Sequence, residues 1–157
     1  MIGSLKSMSF LGANKTWKNP FLWRSKKTQI VDIKEQYEKY NVRAFDMHLT
    51  FVGKSKKAVF TYDGIIYDTF SIYEYLNYLN NVGNVYVRVV LDADKKSIEL
   101  ETRFYEYCSI IESIYQKIKF FGGYRESDSK LIYKFKNDAP NDLVFYERVD
   151  KLNRALP

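Results

Sequence analysis

Residues 42–79 read VRAFDMHLTF (Val42–Phe51), then GKSKK (Gly53–Lys57), AVFTYDGIIY (Ala58–Tyr67) and TFSIYEYLNYL (Thr69–Leu79). The first run is apolar and rich in strand-forming residues, yet it carries Asp46 and His48 two positions apart. Residues i and i+2 of a strand share a face, so both side chains project the same way. The second run forms a strand as far as Tyr62, where Asp63-Gly64 turns the chain. The third run forms a helix over 69–79. Thr69 or Ser71 opens it, and Glu74 stands three residues beyond Ser71 as in a capping box. Asn80-Asn81-Val82-Gly83 ends it. Ligand-capable groups near strand ends, on an otherwise apolar framework, mark the position where β/α folds keep their chemistry.

The same reading extends outward. Downstream, VYVRVVL (Val85–Leu91) is a buried strand closed by Asp92. Ser97–Ile118 carries apolar residues at helical spacing, Lys119–Gly122 begins another strand, 122–129 (GGYRESDS) reads as a loop, and Lys130–Phe135 as a further strand. Upstream, residues 7–12 (SMSFLG) are a first strand and 13–28 a basic loop. Thr28–Tyr40 is a helix with Ile30, Ile33 and Tyr37 on one side, and Asn41 ends it. Alternating strands and helices predict the α/β class with a largely parallel sheet. One domain over 1–136 is expected, with a polar tail over 137–157 that holds one short apolar run, LVFY. Phe45, Leu49, Val59, Phe60, Val87, Val89 and Leu91 are expected in the core.

A chain of 157 residues with 46% hydrophobic content suffices for one folded domain with a sizeable core. Tyr, Asn, Lys and Ile, which are abundant here, are the residues that AT-rich codons favour, so the 17% aromatic content is weak evidence for a stacking surface. Net charge is +6; residues 1–60 hold 12 Lys/Arg against 4 Asp/Glu, and the remainder 13 against 15. The basic half fits phosphates, nucleic acid or an anionic membrane, or is simply a solvated surface. Cys108 is the single cysteine, which excludes an internal disulfide and suggests a packed, inert thiol. The first residues lack the features of a secretory signal, and no apolar run approaches the ~18 residues of a membrane helix. A soluble, cytoplasmic protein is expected, with a virion as the other setting.

Over residues 9–95 the chain resembles the catalytic domain of phosphatidylinositol-specific phospholipase C and the glycerophosphodiester phosphodiesterases. Asn41-Val42-Arg43-Ala44-Phe45-Asp46-Met47-His48 is similar to the family's Gly-Val-Arg-x-Phe-Asp-hydrophobic-Arg, and Thr28-Gln29 stands at its Gln-rich helix entry. Asp63-Gly64-Ile65-Ile66-Tyr67 matches His-Gly-x-x-Tyr except that Asp replaces His. Gly12-Ala13-Asn14-Lys15-Thr16 occupies the first motif, where the family has its other catalytic His. Asp92 stands at the acidic end of the third family strand. The resemblance implies parallel β/α units of a TIM-type barrel. A closed barrel takes about 250 residues, so the chain is expected to form a half-barrel or an open sheet. Unpaired strand edges in such a half-barrel predict a homo-oligomer or a larger assembly.

The family's chemistry uses two imidazoles, one removing a proton from the attacking hydroxyl and one protonating the leaving oxygen. Neither position holds His here. Bacterial members carry a catalytic Arg where His48 stands, and calcium-dependent members carry acidic ligands at the positions of Asp46 and His48. The leading expectation is a non-catalytic derivative, acting as a binding or structural component, viral in one version. The alternative is a metal-assisted phosphodiesterase, a phosphoric diester hydrolase using Asp46, His48 and Asp63. Its calcium or magnesium ion would be held by Asn14, Asp46, His48 and Asp92; in the opposing reading Asp46 and His48 share only a buried hydrogen bond. Asn14, Arg43 and Arg125 are candidates for a phosphate-bearing ligand, although Arg43 faces away from Asp46 and suits a salt bridge, and Gly122–Arg125 suits a plain turn. A nucleic-acid-binding module built on the basic half is the third reading. P-loop, dinucleotide, zinc and nucleophile-elbow motifs are missing.

Overall fold

A computed structural model describes residues 11–13, 33–62, 65–67, 71–93, 97–141 and 143–146. The strands are β1 (Leu11–Ala13), β2 (Val42–Phe51), β3 (Ala58–Tyr62), β4 (Ile65–Tyr67), β5 (Val85–Leu91), β6 (Ile118–Arg125) and β7 (Val144–Tyr146). The helices are α1 (Ile33–Glu38), α2 (Ile72–Val82) and α3 (Ile98–Ile114). Among the described residues, all seven strands belong to one sheet. Strands β7, β1, β2, β5 and β6 run parallel in that spatial order. The fold is therefore mixed α/β with an open, mostly parallel sheet.

β2 organises the molecule because it is long enough to use both edges. β5 pairs along one edge from Ala44 to Leu49. On the other edge β1 takes Val42–Phe45, and β3 takes Leu49–Phe51 in the antiparallel sense. β3 then pairs antiparallel with β4, Tyr62 opposite Ile65. The expected strand and helix are both present, and the structure adds a strand between them, Ile65–Tyr67. Asp63 and Gly64 lie outside the described residues.

Alternation along the strands separates two faces. Phe45, Met47, Leu49 and Phe51 of β2 join Val85, Val87, Val89 and Leu91 of β5 in the main apolar cluster. Leu76 and Leu79 of α2 and Phe104, Cys108 and Ile111 of α3 pack on the same side. Of the expected core residues, Val59 alone is half-buried, and the other six are buried. Cys108 is fully buried, and burial pushes its thiol pKa up, which keeps it protonated. Ala44, Asp46 and His48 point to the opposite face.

Local signals explain the helix ends. Asn41, with φ 57°, stops the chain after α1 in the left-handed region that Asn tolerates. Ser71 caps α2 by accepting a hydrogen bond from the Glu74 amide at 3.2 Å, and Gly83 closes it. Ser97 caps α3 through the Leu100 amide. α3 ends at Ile114 rather than Ile118, because Ile118 already pairs with Val85. Among the described residues no helix is long and apolar enough to cross a membrane.

Three further readings change in three dimensions. Gly122–Arg125 belongs to β6 and is not a loop. Gly123 is an extra residue between the Val89–Gly122 and Val90–Tyr124 pairs, a β-bulge after which the ladder resumes. Residues 130–135, expected as a strand, make one isolated antiparallel bridge, Leu131 to Tyr124. The amides of Ile132 and Tyr133 both donate to the Gly123 carbonyl, and this curls the segment over the bulge. The segment assigned to a tail also supplies β7, which lies beside β1.

The bulge yields a first prediction. Gly123 has φ 77°, and a Cβ there would lie 1.9 Å from the Tyr133 carbonyl oxygen. Gly123→Ala is expected to cost about 2 kcal/mol, from backbone strain and displacement of the 130–135 segment. Chemical denaturation measures it; a loss below about 0.5 kcal/mol would show that the bulge relaxes freely.

Candidate functional site

The face opposite the helices carries a four-residue charge cluster. Asp46 and His48 alternate on β2, as their spacing requires. The β2–β5 register sets Arg88 opposite Asp46. Beyond the bulge the Glu126 amide donates to the Leu91 carbonyl, which holds Glu126 at the end of β6. These placements bring four charges into one chain of contacts. Arg88 Nε donates to Asp46 Oδ1 at 2.8 Å. His48 Nε2 lies 2.8 Å from Asp46 Oδ2, and His48 Nδ1 lies 3.1 Å from Glu126 Oε2.

Asp46 is fully buried and His48 is 5% exposed, so the cluster depends on internal compensation. Burial pushes the Asp46 pKa up, but the hydrogen bonds and charges of His48 and Arg88 outweigh it and hold the carboxyl at about 2. Burial pushes the His48 pKa down, but hydrogen bonds to Asp46 and Glu126 outweigh it and raise it to about 9. At neutral pH His48 is therefore an imidazolium donating both ring protons to carboxylates. Among the described residues of the cluster, two positive and two negative charges face one another.

Arg88 and Glu126 escaped the sequence reading. The signal for Arg88 was present: one cation in VYVRVVL, an otherwise apolar central strand, needs a buried anion. Nothing local marks Glu126, because its approach to His48 depends on the bulge and on the β5–β6 register.

The other candidates are scattered. Asn14 and Asp63 lie outside the described residues. Asp92 follows β5, half-buried, with its amide donating to the Leu49 carbonyl. Arg43 packs its guanidinium over the Tyr37 ring, 3.9 Å from the centroid, and donates to the Tyr37 and Val42 carbonyls. It thus secures α1 to β2. Arg125 pairs in register with Leu91, is 1% exposed, and is bonded by Glu101 of α3 and by Asp128. It fastens α3 to the end of β6.

Among the described residues, no three His, Cys, Asp or Glu side chains are disposed to hold a metal ion. Both ring nitrogens of His48 are engaged by carboxylates, Nε2 by Asp46 and Nδ1 by Glu126. Beside the cluster Arg88 reaches a groove of about 530 Å³ walled by Phe121, Tyr124 and Phe135, with Lys134 and Asp138 also lining it. The arrangement can bind through aromatic walls and a cationic side chain, next to the buried charge cluster. No protein-family model, curated protein or solved structure matches the chain.

Proposed function

We propose that the chain is a non-catalytic derivative of the phospholipase C-like phosphodiesterase framework, acting as a binding or structural component. The parallel order β1, β2, β5, β6 supports this reading, since each of these strands passes through a helix to its next parallel neighbour, with the β3–β4 hairpin inserted between β2 and β5. The observation that carries it is the state of His48. General acid–base cleavage of a phosphodiester takes two proton carriers. The sole histidine has both ring nitrogens engaged by carboxylates, and its pKa of about 9 leaves little neutral imidazole to act as a base at pH 7. What the framework offers instead is the groove. Its volume of about 530 Å³ falls in the ~300–1,000 Å³ span of small-molecule sites. A phosphate-bearing ligand there would meet Lys134 and the Arg88 guanidinium.

The test is release of inositol phosphate or glycerol phosphate from phosphatidylinositol and glycerophosphodiesters, with calcium, magnesium or manganese. No turnover is expected with any of them. Metal-dependent turnover that disappears in folded His48→Gln and Glu126→Gln variants would replace this reading with the metal-assisted phosphodiesterase.

A further inference from the structure

Helix α3 carries more apolar surface than its packing uses. Phe104, Cys108, Ile111 and Tyr115 recur at helical spacing and form the buried seam. On an ordinary surface helix the flanking row would be polar. Here it is Tyr107, Ile110 and Ile114, with Ile110 53% and Ile114 61% exposed. Tyr73, at the start of α2, is 67% exposed. Together with Val59 of β3 these side chains line a groove of about 300 Å³. Large apolar side chains gathered in one concave patch mark an interaction site more often than isolated ones do.

Charge selects the occupant. Among the described residues, the lining holds one charged side chain, Lys57, and no acidic one. Lys57 ends the loop Gly53–Lys57, which also carries Lys54 and Lys56. Arg103 of α3 donates to the Gly53 and Ser55 carbonyls at 2.6 and 3.0 Å, so the basic loop is fastened to the helix that walls the groove. Ile110 and Ile114, four residues apart, form a ridge of the kind that packs beside a second helix. A recess between secondary elements suits inserted side chains, whereas a bilayer is met by protruding ones.

We propose that this groove docks an acidic amphipathic helix of a partner protein, its apolar residues entering between α2 and α3 and its carboxylates facing Lys54, Lys56 and Lys57. This site is distinct from the groove beside Arg88 and is independent of whether catalysis is lost.

The probe is a fluorescein-labelled 18-residue helical peptide with Leu at i, i+3, i+4 and i+7 spacing and Glu elsewhere on the surface, read by anisotropy against the full chain. Saturable binding is expected. Ile110→Glu, Ile114→Glu and Tyr73→Ser, all at exposed positions, should each weaken it at least tenfold while circular dichroism is unchanged. The triple change Lys54→Glu, Lys56→Glu, Lys57→Glu should weaken it similarly and flatten its salt dependence. Equal binding of a scrambled peptide, or indifference to Ile114→Glu, would overturn the proposal. So would absence of saturable peptide binding, and either of two results would then reassign the patch. One is binding to vesicles containing 30% phosphatidylserine that Ile114→Glu abolishes, which assigns the patch to a membrane. The other is self-association in sedimentation that Ile114→Glu abolishes, which assigns it to a second copy.

Discussion

Asp46→Ala is expected to lower stability by about 3–5 kcal/mol, the range for removing one partner from a buried ion pair. Asp46 is fully buried and accepts hydrogen bonds from two cationic side chains at 2.8 Å each. Its removal takes away the carboxylate that His48 and Arg88 share, on a strand that both neighbouring parallel strands depend on. Urea denaturation measures the effect, and Asp46→Asn should fall between the two, because an amide keeps one acceptor but loses the charge. The double variant Asp46→Ala, Arg88→Met should recover part of the loss, since one buried charge leaves with its partner, and the cycle isolates the coupling. A loss below about 1 kcal/mol for Asp46→Ala would mean that water enters and solvates the cluster, and the dry charge network would be wrong.

Stability should also fall as pH rises from about 6.5 to about 9. In the folded state the pKa of His48 is raised from 6.5 to about 9. Between those values the folded chain binds the proton more tightly than the unfolded one. The contribution is therefore complete below pH 6.5 and lost as pH climbs through 9; its size is on the order of 3 kcal/mol. Asp46 acts at the other end. Its folded pKa is lowered from 3.8 to about 2, so its contribution is present above pH 3.8 and lost as pH falls through 2. The cluster thus stabilises the fold most between about pH 4 and 6.5. Denaturation midpoints at pH 6 and pH 9 would show the alkaline decline. His48→Gln should be less stable than the parent at pH 6, and the two should converge by pH 9. Parallel slopes in parent and variant would remove His48 as the cause.

Periodicity alone carried much of the architecture. Apolar, β-rich runs marked Phe45, Leu49, Val87 and Val89 as core, and the fixed side-chain period of two put Asp46 and His48 on one shared face. Ser71, Gly83 and Asn41 marked helix ends through local hydrogen bonding and backbone preference, which act within a few residues. What needed the tertiary structure was pairing. Nothing in Ile65–Tyr67 distinguishes a strand at a hairpin edge from a loop leading into a helix; β3 supplies the ladder that decides it. The apolar run near residue 144 becomes a strand only because β1 lies beside it. Arg125 looks like a loop cation until the Gly123 bulge carries the ladder past it and turns it toward Glu101. The candidate site divides in the same way. Asp46 and His48 were legible two residues apart on one strand. Arg88 and Glu126 joined them through register and a bulge, and these depend on contacts between residues 42 and 78 positions apart in the chain.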